Sequence, residues 1–300
     1  MRSNEINALI SLVEDPDPNI FSHVKKELTS YGEYVIPQLE MYSEANFYSE
    51  LFQVRIEELI RSIKYEAVYD GLLSWKRQEE TNLEDGLIQL NKYYDPSLDE
   101  LELKRQIARI RQDIWLELND SLTAMEIVKI FNHIIYTVYG LKGNRTNHIA
   151  PQNSYLSEVL KTKRGNSLSL AAIYRVLANS LDIPIYGINL PNHFLLAYVD
   201  VNSVTEFHEG EQVSTNDILF YINPFSGGTM IHRDEIDEFL YYLDLPKKVS
   251  YYRPCNNEAF IARMINNLIF SYTQYENVER VDELKKLQKV FNESKIQNGR

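Results

Sequence analysis

The hydrophobic period of the chain changes near residue 183, and this change constrains the possible folds more than any other feature. Before it, apolar residues recur with the 3.6-residue period of amphipathic helices, and no strand pattern appears. The segment 123–139 is the clearest example, because Thr123 and Glu126 open it as a capping box. Its apolar residues share one helical face: Ile127, Ile130, Phe131, Ile134, Ile135 and Val138.

After residue 183 the pattern becomes that of short strands. Four runs are rich in β-branched and aromatic residues and are separated by Pro, Asn and Gly: 183–190, 194–201, 218–222 and 229–231. From residue 257 the period is helical again. We therefore predict an α+β fold that is mostly helical, with a small antiparallel sheet covered by a helix at 168–181.

Turn and capping residues divide the chain into three predicted regions, at 1–95, 96–250 and 251–300. In the first, Asp17 is placed to cap a helix and Pro18 to occupy its first position, within a hairpin like those of HEAT arrays. The last region forms a helical hairpin that resembles half of a tetratricopeptide array. Such hairpins bury one face and present the other, which favours binding of a partner.

Charge argues against several classes of function. The chain has 31 Lys and Arg against 43 Asp and Glu, a formal net charge of −12. We expect no nucleic-acid partner, because phosphate backbones are held by an excess or a cluster of cations. We also expect no membrane association, since the sequence has neither a polybasic surface segment nor an apolar run of roughly 20 residues. The N-terminus lacks a secretory signal, so we expect a cytoplasmic protein.

Metal and cofactor chemistry are equally unsupported. The single cysteine, Cys255, excludes an intramolecular disulfide and a site of several thiolates. The six histidines show no metal-ligand spacing, and no Gly-rich phosphate loop is present. We expect neither a metal nor a cofactor.

Five ordered segments between residues 140 and 228 resemble the transglutaminase-like superfamily, specifically its SirB-type branch. The segments are GLKGNR at 140–145, PQNSYLSEVL at 151–160, RGNSLSLAAIY at 164–174, NLPNHFLL at 189–196 and INPFSGG at 222–228. The resemblance implies a papain-like core, in which a nucleophile at the N-terminus of a central helix faces a His and an Asp or Asn from consecutive strands.

By motif, the resemblance places Ser167, His193 and Asn223 at these three positions. The chain departs from the catalytic pattern twice, because Ser167 stands where a Cys is expected and Asn223 where an Asp is expected. A hydroxyl ionises far less readily than a thiol and needs a strong general base. The same segments supply six candidate cleft or ligand residues: Asn153, Tyr155, Arg164, Asn166, Ser169 and Asn189.

Structural interpretations of these residues stay open beside the functional ones. Ser167 has the sequence context of a helix N-cap. Ser169 could equally be a hydroxyl in the first helical turn with no chemical role. His193 is a cleft residue, a buried core histidine or a working base, and Asn223 is a common turn residue before a proline. Arg164 either holds an acidic ligand group or is solvated.

Two functional hypotheses follow. The first is a non-catalytic transglutaminase-like protein with a degenerate Cys/His/Asp site, which binds a protein or peptide or regulates through its helical surfaces. The second is a serine-based hydrolase or acyl transferase that uses Ser167, His193 and Asn223. It predicts a hydrogen bond of roughly 2.6 to 3.2 Å between Ser167 Oγ and the His193 ring. The oligomeric state is open.

Overall fold

The computed structural model describes residues 2–43, 49–200 and 215–292. Contacts divide the chain into two compact units, Met1–Ser74 and Trp75–Arg300. The division into three regions made from the sequence stays a prediction.

The first unit is helical. Its elements are α1 (Arg2–Ser11), α2 (Pro18–Ser30), a 3₁₀ turn (Gly32–Val35), α3 (Ile36–Ser43) and most of α4 (Glu50–Lys76). The predicted start of α2 is confirmed, since Asp17 accepts a hydrogen bond from the Asn19 amide at 2.8 Å and Pro18 is the first helical residue. Arg55 of α4 closes the loop between α1 and α2 by donating to the carbonyls of Val13 and Asp15 at 2.7 and 2.6 Å.

The second unit contains the remaining helices: α5 (Leu83–Tyr94), α6 (Glu100–Glu117), α7 (Ala124–Asn132), α8 (Leu156–Thr162), α9 (Ser167–Asn179), α10 (Arg233–Tyr242), α11 (Asn257–Gln274) and α12 (Val278–Asn292). The predicted capping box of α7 is confirmed, because Glu126 accepts from the Thr123 amide and Thr123 from the Glu126 amide, at 2.8 and 3.4 Å. After α7 the chain continues as one stretch of π-helix, His133–Val138. The second unit, Trp75–Arg300, spans the whole of the predicted core region, 96–250, together with the C-terminal hairpin.

A four-stranded antiparallel sheet follows α9 in the chain. Its strands are β3 (Ile185–Ile188), β4 (Leu195–Val199), β5 (Ile218–Asn223) and β6 (Thr229–Ile231), in the order β3-β4-β5-β6. Leu196 of β4 pairs with Gly187 on one side and with Ile222 on the other. All four predicted strands are confirmed, although the predicted end of the second, Val201, lies outside the described residues.

Two further strands were not predicted. β1 (Lys142–Gly143) and β2 (Arg164–Gly165) pair in parallel, so the expectation of no strand before residue 183 is wrong. A strand of two residues is too short to show an alternating pattern, and here the pairing joins two of the segments that carry the family resemblance.

Helix α9 forms the centre of the second unit. Residues 168–178 of this helix are all buried, and the helix contacts β3 and β4. A helix that is buried on all sides belongs to a core, which agrees with the predicted helix covering the sheet. Its N-terminus points to the candidate site.

Candidate functional site

The N-terminus of α9 is held by a capping box between Asn166 and Ser169. Asn166 Oδ1 accepts from the Ser169 amide at 2.8 Å, and Ser169 Oγ accepts from the Asn166 amide at 3.0 Å. Ser167 is thus the first helical residue, and its interpretation as the N-cap is wrong. The extended backbone that an N-cap needs occurs one residue earlier, at Asn166, where the amide side chain can also reach back across the turn.

A network of buried polar groups braces this turn against the preceding loop. Ser169 is fully buried and donates to the Asn153 carbonyl at 2.5 Å. Asn166 Nδ2 donates to Ser154 Oγ at 2.8 Å, and Asn153 Oδ1 accepts from Asn144 Nδ2 at 2.9 Å. Three of the predicted cleft residues therefore lie together and hydrogen-bond to one another: Asn153, Asn166 and Ser169.

Ser167 is partly exposed beside this network and does not share its bonds. Across the described part of the chain, Ser167 Oγ has no hydrogen-bond partner. The structure therefore does not join Ser167 to His193 by a hydrogen bond.

His193 and Asn223, by contrast, are in contact. His193 precedes β4 and Asn223 ends β5, and the antiparallel pairing of the two strands sets them side by side. The distance from His193 Nε2 to Asn223 Oδ1 is 3.3 Å. Asn223 Oδ1 also accepts from the Ser226 amide at 3.3 Å, in the turn that Asn223 caps.

This second contact fixes the tautomer of the histidine. The Ser226 amide can only donate, so the Asn223 atom facing it is the carbonyl oxygen. An oxygen can only accept, so His193 carries its proton on Nε2 and leaves the Nδ1 lone pair free. The arrangement presents a neutral imidazole that can take up a proton at Nδ1.

Burial lowers the pKa of His193 below its ordinary value. The hydrogen bond that His193 donates to Asn223 opposes that lowering of the pKa, and the positive charge of Arg263 adds to it. Arg263 itself donates to Asn189 Oδ1 at 3.1 Å, so the predicted cleft residue Asn189 positions a cation near the histidine. Phe239 of α10 packs on the other side, with its ring centroid 6.0 Å from that of the imidazole.

Arg263 and Phe239 are parts of this site that the sequence did not indicate. The one available signal for Arg263 was that it is the only cation of α11 and lies next to buried Met264. Cations of this kind more often reach solvent along a helix surface, so the sequence alone did not single it out.

The remaining predicted ligand residues are placed differently. Tyr155 is fully buried, stacks on Tyr94 at a centroid distance of 4.4 Å and approaches the hydroxyl of Tyr272 at 3.3 Å. It is a core residue, and burial raises the pKa of its hydroxyl. Arg164 is exposed on β2 and makes no ion pair within the described ranges.

The only thiol of the chain is not poised for reaction. Cys255 follows an extended segment that bridges to β3, and its amide donates to the Gly187 carbonyl at 2.8 Å. Burial raises the pKa of the thiol to about 12. Because a thiolate is the reactive form, the thiol is inert near neutral pH.

The described residues also bear on metal binding and on membrane insertion. They contain no group of three or more His, Cys, Asp or Glu side chains placed to hold a metal ion. None of their helices combines the length and the apolar character that crossing a bilayer requires.

Comparison with known proteins gives one family and several distant relatives. A family model described as the transglutaminase-like superfamily matches residues 101–266, more than half of the chain. F-box only protein 21 of Mus musculus is 26% identical over 146 residues, which are 48% of this chain and 21% of that protein. A UPF0162 protein of Xylella fastidiosa is 26% identical over 157 residues, half of each chain.

Protein SirB1 of Salmonella typhimurium is 27% identical over 129 residues, which are 43% of this chain and 41% of SirB1. The chain thus spans half or less of the length of each of these relatives. No solved structure matches it.

Proposed function

Because the chain belongs to the transglutaminase-like superfamily and has SirB1 and UPF0162 proteins among its homologues, we propose that it keeps the fold and cleft of that superfamily without its thiol chemistry. In this proposal the protein is a protein- or peptide-binding, regulatory module of the cytoplasm. Its HEAT-like region at 1–95 and tetratricopeptide-like region at 251–300 flank the core and offer binding surfaces.

One observation carries the proposal. By the family resemblance Ser167 stands at the position of the nucleophile, and among the described residues its hydroxyl has no partner that could accept its proton. A serine hydroxyl becomes a nucleophile only when a base is in hydrogen-bond contact with it. The raised pKa of Cys255 leaves no thiolate to replace it.

The comparisons support a modular role. The region similar to F-box only protein 21 makes up about a fifth of that protein, so a related domain occurs there as one part of a larger chain. A shared fold does not transfer activity, and the residues of the site therefore decide the argument.

The experiment is intact-mass analysis after incubation with a reactive fluorophosphonate. Wild type, Ser167→Ala and His193→Ala are compared, with the two variants as matched controls for the nucleophile and the base. We expect no adduct on any of the three folded proteins. A single adduct on wild type that both variants lose would overturn the proposal.

That outcome would establish the second candidate function, a serine-based hydrolase or acyl transferase. The contact between His193 and Asn223 favours it, since the free Nδ1 is the atom that a general base requires. In that reaction Ser167 Oγ bonds to the acyl carbon, while its proton passes to Nδ1 and then to the departing group. This candidate requires Ser167 Oγ to move within hydrogen-bond reach of Nδ1 when a ligand is present.

A further inference from the structure

Helix α6 presents exposed cations on the surface of an acidic protein. Lys104 is paired with Asp85 at 2.9 Å and Arg105 lies 3.7 Å from Glu102. Arg109 and Arg111 are exposed and make no ion pair with any described residue. Helix α6 carries four basic and four acidic residues, and Glu84 attracts Arg111, so the positive charge is a local cluster at residues 104–111, between Glu102 and Asp113.

Two clefts lie on either side of Arg109, each with a volume of about 590 Å³. The first has an apolar floor that includes Leu103, Ile110 and Leu160, with Lys163 at its wall. The second is bordered by Trp115, whose side chain is 62% exposed. Each cleft therefore combines an apolar surface with cations.

Lys163 is held at the first cleft in a costly conformation. It ends α8 in the left-handed region, with φ of 60°, where glycine is the usual residue. Its Nζ lies 5.9 Å from the centroid of the Tyr139 ring, and the Tyr139 hydroxyl is fixed by a bond to Asp113 at 2.7 Å. No described carboxylate pairs with Lys163. Among the described residues the side chain thus adds a third cation that makes no ion pair, beside an apolar floor.

We propose that the α6 surface, defined as Arg109, Arg111, Trp115 and Lys163 with the two clefts between them, binds an acidic peptide segment of a partner protein. The carboxylates of the segment meet the three cations, and apolar side chains between them enter the clefts. This inference rests on the proposed binding function and names where the partner docks and what its chemistry is.

A peptide fits this surface better than a nucleic acid. The positive charge is confined to residues 104–111 of α6 and to Lys163, while the protein as a whole is strongly acidic. Asp99 and Glu102 also line the first cleft, and they would repel a continuous chain of phosphates. A peptide can alternate acidic and apolar residues to match the alternation of cations and clefts.

The test is fluorescence anisotropy with a labelled dodecapeptide of Glu residues interrupted by Leu and Phe. The control probe is the same peptide with Lys in place of Glu. We expect saturable binding of the acidic peptide, little binding of the basic one, and weakening with added salt, because exposed charges are screened over roughly 8 Å at physiological ionic strength.

Variants locate the binding. The double variant Arg109→Glu with Lys163→Glu should lower the affinity for the acidic peptide by about tenfold or more, because like charges then face the carboxylates of the peptide. The matched control, Lys285→Glu with Lys286→Glu, makes the same charge change at two exposed positions of α12 and should leave affinity within about twofold. The affinity of Arg109→Gln with Lys163→Gln should lie between that of the α6 charge reversal and that of the α12 control. The unfolding curve of this neutral variant should match that of wild type.

Failure to bind the acidic peptide, or equal weakening by both charge reversals, would overturn the proposal. So would tighter binding of a thymidine oligonucleotide, or a dimer in light scattering that the α6 variants disrupt. Fluorophosphonate labelling of Ser167 with the peptide result intact would refute the non-catalytic function alone. An unlabelled Ser167 with no peptide binding would refute the α6 surface alone.

Discussion

Two serines in the first turn of α9 should differ strongly in how much stability they lose on substitution by alanine. Ser169→Ala removes a hydroxyl that accepts from the Asn166 amide and donates to the Asn153 carbonyl, in a fully buried position. After the change these two groups keep only the long bond to each other, at 3.3 Å. Loss of half a capping box and of a buried hydrogen bond should lower the free energy of unfolding by about 2 kcal/mol.

Ser167→Ala is the matched control. Its hydroxyl is partly exposed and makes no hydrogen bond among the described residues, so we expect a change within about 0.5 kcal/mol. The assay is equilibrium unfolding in urea followed by tryptophan fluorescence. Trp75 and Trp115 are the only tryptophans, and both belong to the unit Trp75–Arg300 that contains α9.

In a thermal scan the Ser169 variant should melt about 4 to 8 °C below wild type. If Ser167→Ala lowered the free energy of unfolding as much as Ser169→Ala does, the reasoning would be refuted, because Ser167 would then be the residue that caps the helix.

Three further predictions concern the turns and titratable groups around the site. Gly228→Ala should lower the free energy of unfolding in urea by about 3 kcal/mol or more, because the added Cβ clashes with the side chain of Asn132. Gly227 has a similar positive φ but open space around it, so Gly227→Ala should cost only about 1 kcal/mol. Cys255 should resist iodoacetamide in the folded protein near neutral pH and react after urea unfolding; rapid labelling of native protein would contradict its raised pKa. Folding lowers the pKa of His193, so as the pH falls the imidazole is protonated in the unfolded chain before it is protonated in the folded protein. The free energy of unfolding should therefore decrease as the pH drops below about 6.5. His193→Gln should show a smaller loss of stability over the same pH range. If the urea midpoints of wild type and His193→Gln depended equally on pH, this prediction would be wrong.

The sequence predicted the elements that have a strong period and missed those that depend on a few residues. Three of the four predicted strands are runs of five or more patterned positions, the fourth is marked by the glycines before it, and the start of α7 is marked by its capping residues. The two-residue pair of β1 and β2 has no period to detect, and its existence depends on contacts between distant segments.

The candidate site shows the same limit. His193 and Asn223 were predicted together from two motifs and the structure brings them within 3.3 Å. Ser167 was misread as the cap because Asn166 and Ser167 are both good capping residues, and only the backbone conformation distinguishes them. Arg263 was missed because its approach to His193 requires α11 to fold back on the sheet, which local sequence does not reveal.

The stretch of π-helix after α7 sets the rotational phase of everything that follows it. In this stretch the Tyr139 amide bonds the carbonyl of Ile134, five residues back, where an α-helix would bond four back. The wider turn holds one residue more than a regular helix of the same rise. A chain one residue shorter between 133 and 138 could therefore close as an ordinary α-helix without losing any hydrogen bond. Its exit would then keep its present direction. If the same six residues instead closed as an α-helix, the extra residue would rotate the exit by roughly 100° and swing Tyr139 away from Asp113 and the first cleft. The wide turn itself is therefore what a substituted chain of this length must preserve.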